Sequence, residues 1–305
     1  LMTGLAAGAL PTMTGAAQTL PSRFSAVALQ MRCDAINPDR TREAARARMM
    51  TTIARASSMI AAAKGFLSVF NGYETKLVVL PEYWMTSFPL GETREQGQDK
   101  AAIDIGGAED TAIAKMAQDR GVFLCSNHYE NDPHFPDLYF QANVVYAPNG
   151  NTVLRYRRMI SLYTPSPYDV WDRYLGAYGA DAIFPVAQTD IGVLGSIASE
   201  EILYPEIARM HAFKGAEILL HPTSEVAAPS LTPKHIAKMA RAVENMAYVV
   251  SANSAGIFGT PVAANSTDGM SIVLDWYGRT LAGRPSTPTP CSMWRPCAKR
   301  DARRA

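Results

Sequence analysis

The chain has 305 residues, 48% of them hydrophobic and 19% charged, enough to bury a large core in one or two domains. Its 29 basic and 28 acidic side chains leave a net charge of +1, without the basic excess that marks a nucleic-acid binder. No apolar run reaches the roughly 20 residues of a membrane-spanning helix, so none is expected. The near-neutral sum hides an asymmetry. Residues 284–305 hold six basic side chains against Asp301, which leaves the rest at −4.

Four scattered cysteines (Cys33, Cys125, Cys291 and Cys297), with no CxxC pair, fit neither a disulfide framework nor a structural zinc site. They read as thiols of a reducing, cytoplasmic compartment. The uncharged residues 1–22, with Pro11 inside the apolar stretch, lack the basic start and unbroken core of a secretory signal. A disordered leader is expected there.

Beyond it, short β-branched runs alternate with longer helical ones. Residues 24–31 read as a strand. Over 39–64, Ala45, Met49, Ile53, Ala56 and Ile60 recur at helical spacing, and Gly65 is positioned to stop the helix. A buried strand over 76–80 ends in Pro81-Glu82. A helix near 110–118 leads to a strand over 122–126, and strands over 143–147 and 152–157 flank the turn Pro148-Asn149-Gly150. Then come a strand over 191–198, a helix over 205–214 and a strand over 217–220. Thr232-Pro233 starts a helix running to about residue 247, as a cap followed by proline in the first turn. Strands over 248–251 and 270–274 close the series. Strands and helices in alternation predict an α/β layered fold. No linker divides residues 23–283, so one domain is expected. Residues 284–305, with four prolines and six basic side chains, predict a mobile tail.

Three segments could carry chemistry. Glu82 follows a buried strand, where open α/β sheets place their sites, and burial would lift its pKa toward that of a general base. It could equally be a cap or a loop acid. Ser199 lies in a strand-to-helix turn whose amides could hold an oxyanion, although a serine there is often only a cap. Arg155-Tyr156-Arg157-Arg158 ends a hairpin strand and by itself reads as a solvated edge. The run from His128 through Glu130 and Asp132 to His134 could bind a divalent metal, but its spacing suits a polar surface loop better. No phosphate-binding glycine loop and no GxSxG is present.

Taken in order, Pro81-Glu82 after a strand, Tyr156-Arg157-Arg158 after a hairpin and Tyr204-Pro205-Glu206 after a third strand resemble the carbon–nitrogen hydrolase (nitrilase) superfamily. Phe213-Lys214-Gly215-Ala216, the run 245–253 and the run 275–282 extend the likeness over residues 24–282. The resemblance implies a four-layer αββα sandwich, homo-oligomers, and hydrolysis of small non-peptide amides, nitriles or carbamoyl compounds without cofactor or metal. Neither a membrane nor a nucleic acid is an expected partner. The family's glutamate base falls on Glu82, its lysine on Arg158 and its cysteine nucleophile on Ser199, seven residues before Glu206. A second glutamate of many members falls on Ser166, a candidate substrate contact.

Three of these four positions depart from the pattern. A hydroxyl is far less acidic than a thiol and needs an aligned base. Arg158 keeps the positive charge but, in a bidentate pair with Glu82, would depress that carboxyl and weaken it as a base. Glu200 and Glu201 add negative charge that could recognise a cationic substrate or simply favour the helix start. Cys33 and Cys125 read as core residues. Two readings therefore stand: a hydrolase with Ser199 as nucleophile, or a catalytically inactive relative that binds a small ligand or a homologous partner subunit.

Overall fold

The computed structural model describes residues 23–283 apart from 229, 230 and 268. The expected leader and tail, with Cys291 and Cys297, lie outside the described residues.

Two six-stranded sheets face each other, each with three adjacent parallel strands extended by antiparallel ones. The first holds β1 (Ser25–Ala28), β3 (Thr75–Val79), β5 (Phe123–Asp132), β6 (Phe135–Tyr146) and β7 (Thr152–Arg157) in that order, with β4 (Ile103–Asp104) beside β5. The second runs β14 (Thr280–Gly283), β13 (Ile272–Leu274), β11 (Tyr248–Asn253), β10 (Ile218–Thr223), β9 (Gly192–Ser196) and β8 (Ala187–Thr189). A small parallel pair joins β2 (Cys33–Asp34) to β12 (Ile257–Phe258). Helices α1 (Arg42–Asn71), α2 (Arg94–Ala101) and α3 (Ala108–Arg120) go with the first sheet. Helix α4 (Trp171–Tyr178) follows β7, and α5 (Pro205–Phe213) and α6 (Pro233–Asn245) go with the second sheet.

The strand pleat explains the layering. Val78 and Leu80 point toward α1 and α3, while Leu77 and Val79 point the other way, against Leu194, Leu219 and Val249 of the second sheet. Each strand thus feeds two cores, as the apolar, hardly alternating run at 77–80 requires. Ile207, Ala208, Ala237 and Ala242 bring α5 and α6 onto the far side. The result is the αββα sandwich.

Several boundaries differ from the sequence reading. Helix α1 does not stop at Gly65, because Ala63 and Leu67 continue its buried stripe on either side of it. It ends instead at Gly72, at φ +70°. Its length also corrects the membrane expectation, because by length and composition α1 is long and apolar enough to cross a membrane. In the fold Met49, Ile53 and Ile60 of this helix join the first core, while Val69 and Phe70 near its end are exposed. Strand β5 extends to Asp132, so the segment 128–132 is mostly buried strand rather than surface loop.

Gly195 lets β9 pack directly on α5. A Cβ at this position would lie 3.0 Å from the Ala216 Cβ and 3.1 Å from the His211 Cβ. Gly195→Val is expected to lower unfolding stability by about 1–3 kcal/mol through overpacking, read as a lowered denaturant midpoint; an unchanged midpoint would show that β9 and α5 can separate without cost.

Candidate active site

Glu82, Arg158 and Ser199 converge from three chain segments. Glu82 follows β3 as the chain leaves the first sheet, and its amide donates to the Thr223 carbonyl at the end of β10, 3.2 Å away. Arg158 follows β7. Ser199 opens a short 3-10 helix after β9. Glu82 and Ser199 sit at the carboxyl ends of the parallel strands β3 and β9, where open α/β sheets gather ligands, while Arg158 comes from the end of the antiparallel β7.

All three side chains are at least nine-tenths buried. Arg158 Nη1 donates to Glu82 Oε1 at 2.8 Å and to Gln141 Oε1 at 2.8 Å, and Gln141 Nε2 donates to the same carboxylate oxygen at 3.0 Å. Nη2 turns to Glu200 at 2.5 Å, and Nε donates to the Ile160 carbonyl. The expected bidentate pair is therefore a single bond, because the guanidinium fork is divided between two carboxylates. Nor is Glu82 depressed. Burial pushes its pKa up by more than Arg158 and Lys234 pull it down, and Glu200 adds to the rise. For Arg158, burial works against the charge, but Glu82, Glu201 and Glu200 outweigh it and raise the pKa.

Ser199 has φ +48°, a left-handed conformation rare for a residue with a side chain, so the turn that carries it is strained. Two buried groups hold it. Glu201 accepts from the Ala198 amide and the Tyr156 hydroxyl on one oxygen, and from the Met159 and Ile160 amides on the other. His221 Nε2 lies 2.9 Å from the Ser199 carbonyl, and its Nδ1 lies 2.9 Å from Ser251 Oγ. A carbonyl only accepts, so Nε2 carries a hydrogen. Burial favours the neutral ring, lowering the His221 pKa to about 3.

The Ser199 hydroxyl is near enough to Glu82 to favour its charged form, while Glu82 Oε2 is buried without a hydrogen-bond partner among the described residues. It also accepts from Lys234 Nζ at 3.3 Å, and Lys234 in turn pairs with Glu200. Held between Lys234 and Arg158, Glu200 stays charged: burial would raise its pKa, but the two cations bring it to about 2. Glu200, with its side chain 37% exposed, and Lys234, at 14%, form the wet edge of the cluster.

Other expected residues are employed differently. The Ser166 hydroxyl donates to Asp169 at the start of a 3-10 helix, and among the described residues no hydrogen bond joins it to Glu82, Arg158 or Ser199. Arg157 is buried, not solvated. It pairs with Glu130 and Asp132 and lies over the rings of Phe140, Tyr174 and Tyr178. Those same bonds occupy the segment considered for a metal, and among the described residues no group of three or more His, Cys, Asp or Glu could hold an ion. Cys33 and Cys125 are buried thiols pushed up to about 12 by burial.

Sequence reasoning missed Lys234 and Gln141. Lys234 carried a signal: it is a cation in the first turn of α6, whose positive dipole end disfavours it, and no acid stands in that turn. Gln141, inside a hydrophobic strand, gave none.

The αββα sandwich thus brings a carboxylate, a guanidinium and a hydroxyl from the ends of β3, β7 and β9 together with an ammonium from the first turn of α6. The sequence model of the family described as carbon-nitrogen hydrolase matches residues 36–289. The chain is 30% identical over 183 residues to a nitrilase of Pyrococcus abyssi, covering 59% of this chain and 63% of that protein. It is 28% identical over 211 residues to the 2-oxoglutaramate amidase of Bacillus subtilis, covering 68% and 72% respectively. The match to the Pyrococcus protein thus spans less than two thirds of that relative's length. The fold is similar to that of a carbon-nitrogen hydrolase from Helicobacter pylori, with a TM-score of 0.63 at 22% identity over 86% of this chain and 85% of that one. It is also similar to an amidase from a Nesterenkonia species, with a TM-score of 0.60 at 19% identity over 86% of each chain, a mutant of which shows the acetamide moiety of fluoroacetamide added covalently at the active-site cysteine. The chain belongs to the carbon–nitrogen hydrolase family.

Two outcomes test the scaffold of the site. Glu201→Gln sets an amide NH2 against groups that are themselves donors, and is expected to cost about 1–3 kcal/mol in a urea titration, with a far smaller loss for Glu200→Gln at the wet edge. Equal losses would refute the anchoring role of Glu201. The second concerns pH. Because the folded pKa of His221 lies below its unfolded value of about 6.5, its contribution is whole above that pH and lost as pH falls toward about 3. The slope is at most about 1.4 kcal/mol per pH unit. The stability difference between wild type and His221→Asn is expected to shrink on moving from pH 7 to pH 5; a constant difference would mean that His221 is charged in the fold.

Proposed function

We propose that this chain hydrolyses a small non-peptide amide, nitrile or carbamoyl compound, with Ser199 as nucleophile and Glu82 as base. The observation that carries the reading is the meeting of the Ser199 hydroxyl, the Glu82 carboxylate with its raised pKa, and the cations Arg158 and Lys234. Attack by Ser199 Oγ on the carbonyl or nitrile carbon transfers the hydroxyl proton to Glu82. For an amide, collapse expels the nitrogen with that proton and leaves a seryl ester, which water hydrolyses with Glu82 as base again. Arg158 holds Glu82 in place through its bonds to Glu82 and Gln141.

The names of the relatives support the amide or nitrile class, and the serine sets this chain apart from the neighbour whose adduct forms on cysteine. The reading includes a reducing, cytoplasmic setting and a homo-oligomer. For the latter, the exposed apolar Phe213, Val243 and Met246 around α5 and α6 offer a face.

A second reading is favoured by one observation: Glu82 Oε1 is already bonded by both Arg158 and Gln141, and Ser199 is fully buried. On that reading the chain binds a small amide without turning it over. Ammonia release from a panel of amides and nitriles separates the two. Turnover that falls about 10²–10⁴-fold in Glu82→Gln and is lost in Ser199→Ala is expected. Unchanged turnover in Ser199→Ala would remove Ser199 from the mechanism, and a thermal shift with no turnover would favour the binding role.

A further inference from the structure

Acyl transfer to a serine places negative charge on the former carbonyl oxygen, and that charge needs a donor free to meet it. Arg158 has the charge but not the freedom. Four hydrogen bonds, to Glu82, Gln141, Glu200 and the Ile160 carbonyl, hold its rigid fork in a buried position. Lys234 is the reverse case. It reaches Ser199 Oγ from the first turn of α6, whose start is fixed by the Thr232 hydroxyl accepting from the His235 amide and by Pro233. Its hydrogen bonds to Ser199 and Glu200 use two of three N–H groups, on a flexible stem at the wet edge of the cluster. Its place at the positive end of the helix dipole is unfavourable for stability, and it is offset by the ion pair with Glu200, which a bound ligand could displace, and by the nearby carboxylates of Glu82 and Glu225.

We infer that Lys234 is a catalytic residue whose ammonium stabilises the oxyanion formed when Ser199 attacks, while Arg158 is a positioning residue for Glu82. The inference rests on the reading of Ser199 as nucleophile. As the Oγ–carbon bond forms, the hydroxyl proton passes to Glu82 and the π pair of the carbonyl moves onto oxygen, where a Lys234 N–H meets it. Collapse returns the pair, breaks the carbon–nitrogen bond and sends the Glu82 proton to the departing nitrogen.

The test is the rate at which an alkyl fluorophosphonate labels the full-length protein, followed by intact mass and peptide mapping. In that reaction the Ser199 oxygen–phosphorus bond forms, fluoride leaves, the proton goes to Glu82, and the phosphoryl oxygen takes on the same developing charge. Labelling at Ser199 is expected to slow by about 10²–10³-fold in Lys234→Met, with Lys234→Gln as a second neutral variant should the first fail to fold, and to be substantially restored in Lys234→Arg. If Lys234 served only to tether Glu200, Glu200→Gln would slow labelling as much as Lys234→Met, and that result would overturn the inference. Unaltered labelling in the neutral variants would overturn it while leaving Ser199 as nucleophile. Absence of label on wild-type Ser199 would overturn the serine reading and this inference together.

Discussion

One buried carboxylate holds the two halves of the site in register. Glu201 accepts four hydrogen bonds, two from the chain just after β7 and one each from the Ala198 amide and the Tyr156 hydroxyl. Through it the exit of the first sheet, which carries Arg158, and the exit of the second, which carries Ser199, become one rigid junction. Burial pushes its pKa up, so the hydrogen bonds, with the nearby Arg158, offset much of the cost of desolvating the charge. Without that junction the strained conformation of Ser199 would relax, and the distances at the site would follow.

The site then divides its labour by burial. Glu82, Arg158 and Gln141 form a dry inner group in which each charge is met by a bond of ordinary length. Glu200 and Lys234 form an outer pair that water reaches. A polar vein continues inward from the dry group: Gln141 donates to Asn127, Asn127 to Asn143, and Asn143 to Ser196 on the facing sheet. The two sheets are thus joined near the site by polar bonds as well as by apolar packing, which favours one relative setting of the halves.

Much of the architecture was legible because it follows from local rules. The helical stripe from Ala45 to Ile60, the continuous apolar run before Glu82, the Pro148-Asn149-Gly150 turn and the Thr232-Pro233 start each mark an element that the structure contains. The misplacements have a common origin in the third dimension. Gly65 ends a helix only where the next turn has nothing to bury, and Leu67 still had a core to reach. The charged residues of 128–132 look like a loop only until the cations Arg155 and Arg157 of β7 are brought alongside.

By itself the sequence determined the alternation of strands and helices and the order of the segments that bear Glu82, Arg158 and Ser199. These depend on periodicity and spacing, which neighbouring residues encode. Tertiary structure alone decided the protonation tendency of Glu82, the commitment of Arg158 to two carboxylates, and the arrival of Lys234 at Ser199. Burial and Coulomb energies are sums over groups far apart in the chain, so no local stretch of sequence contains them.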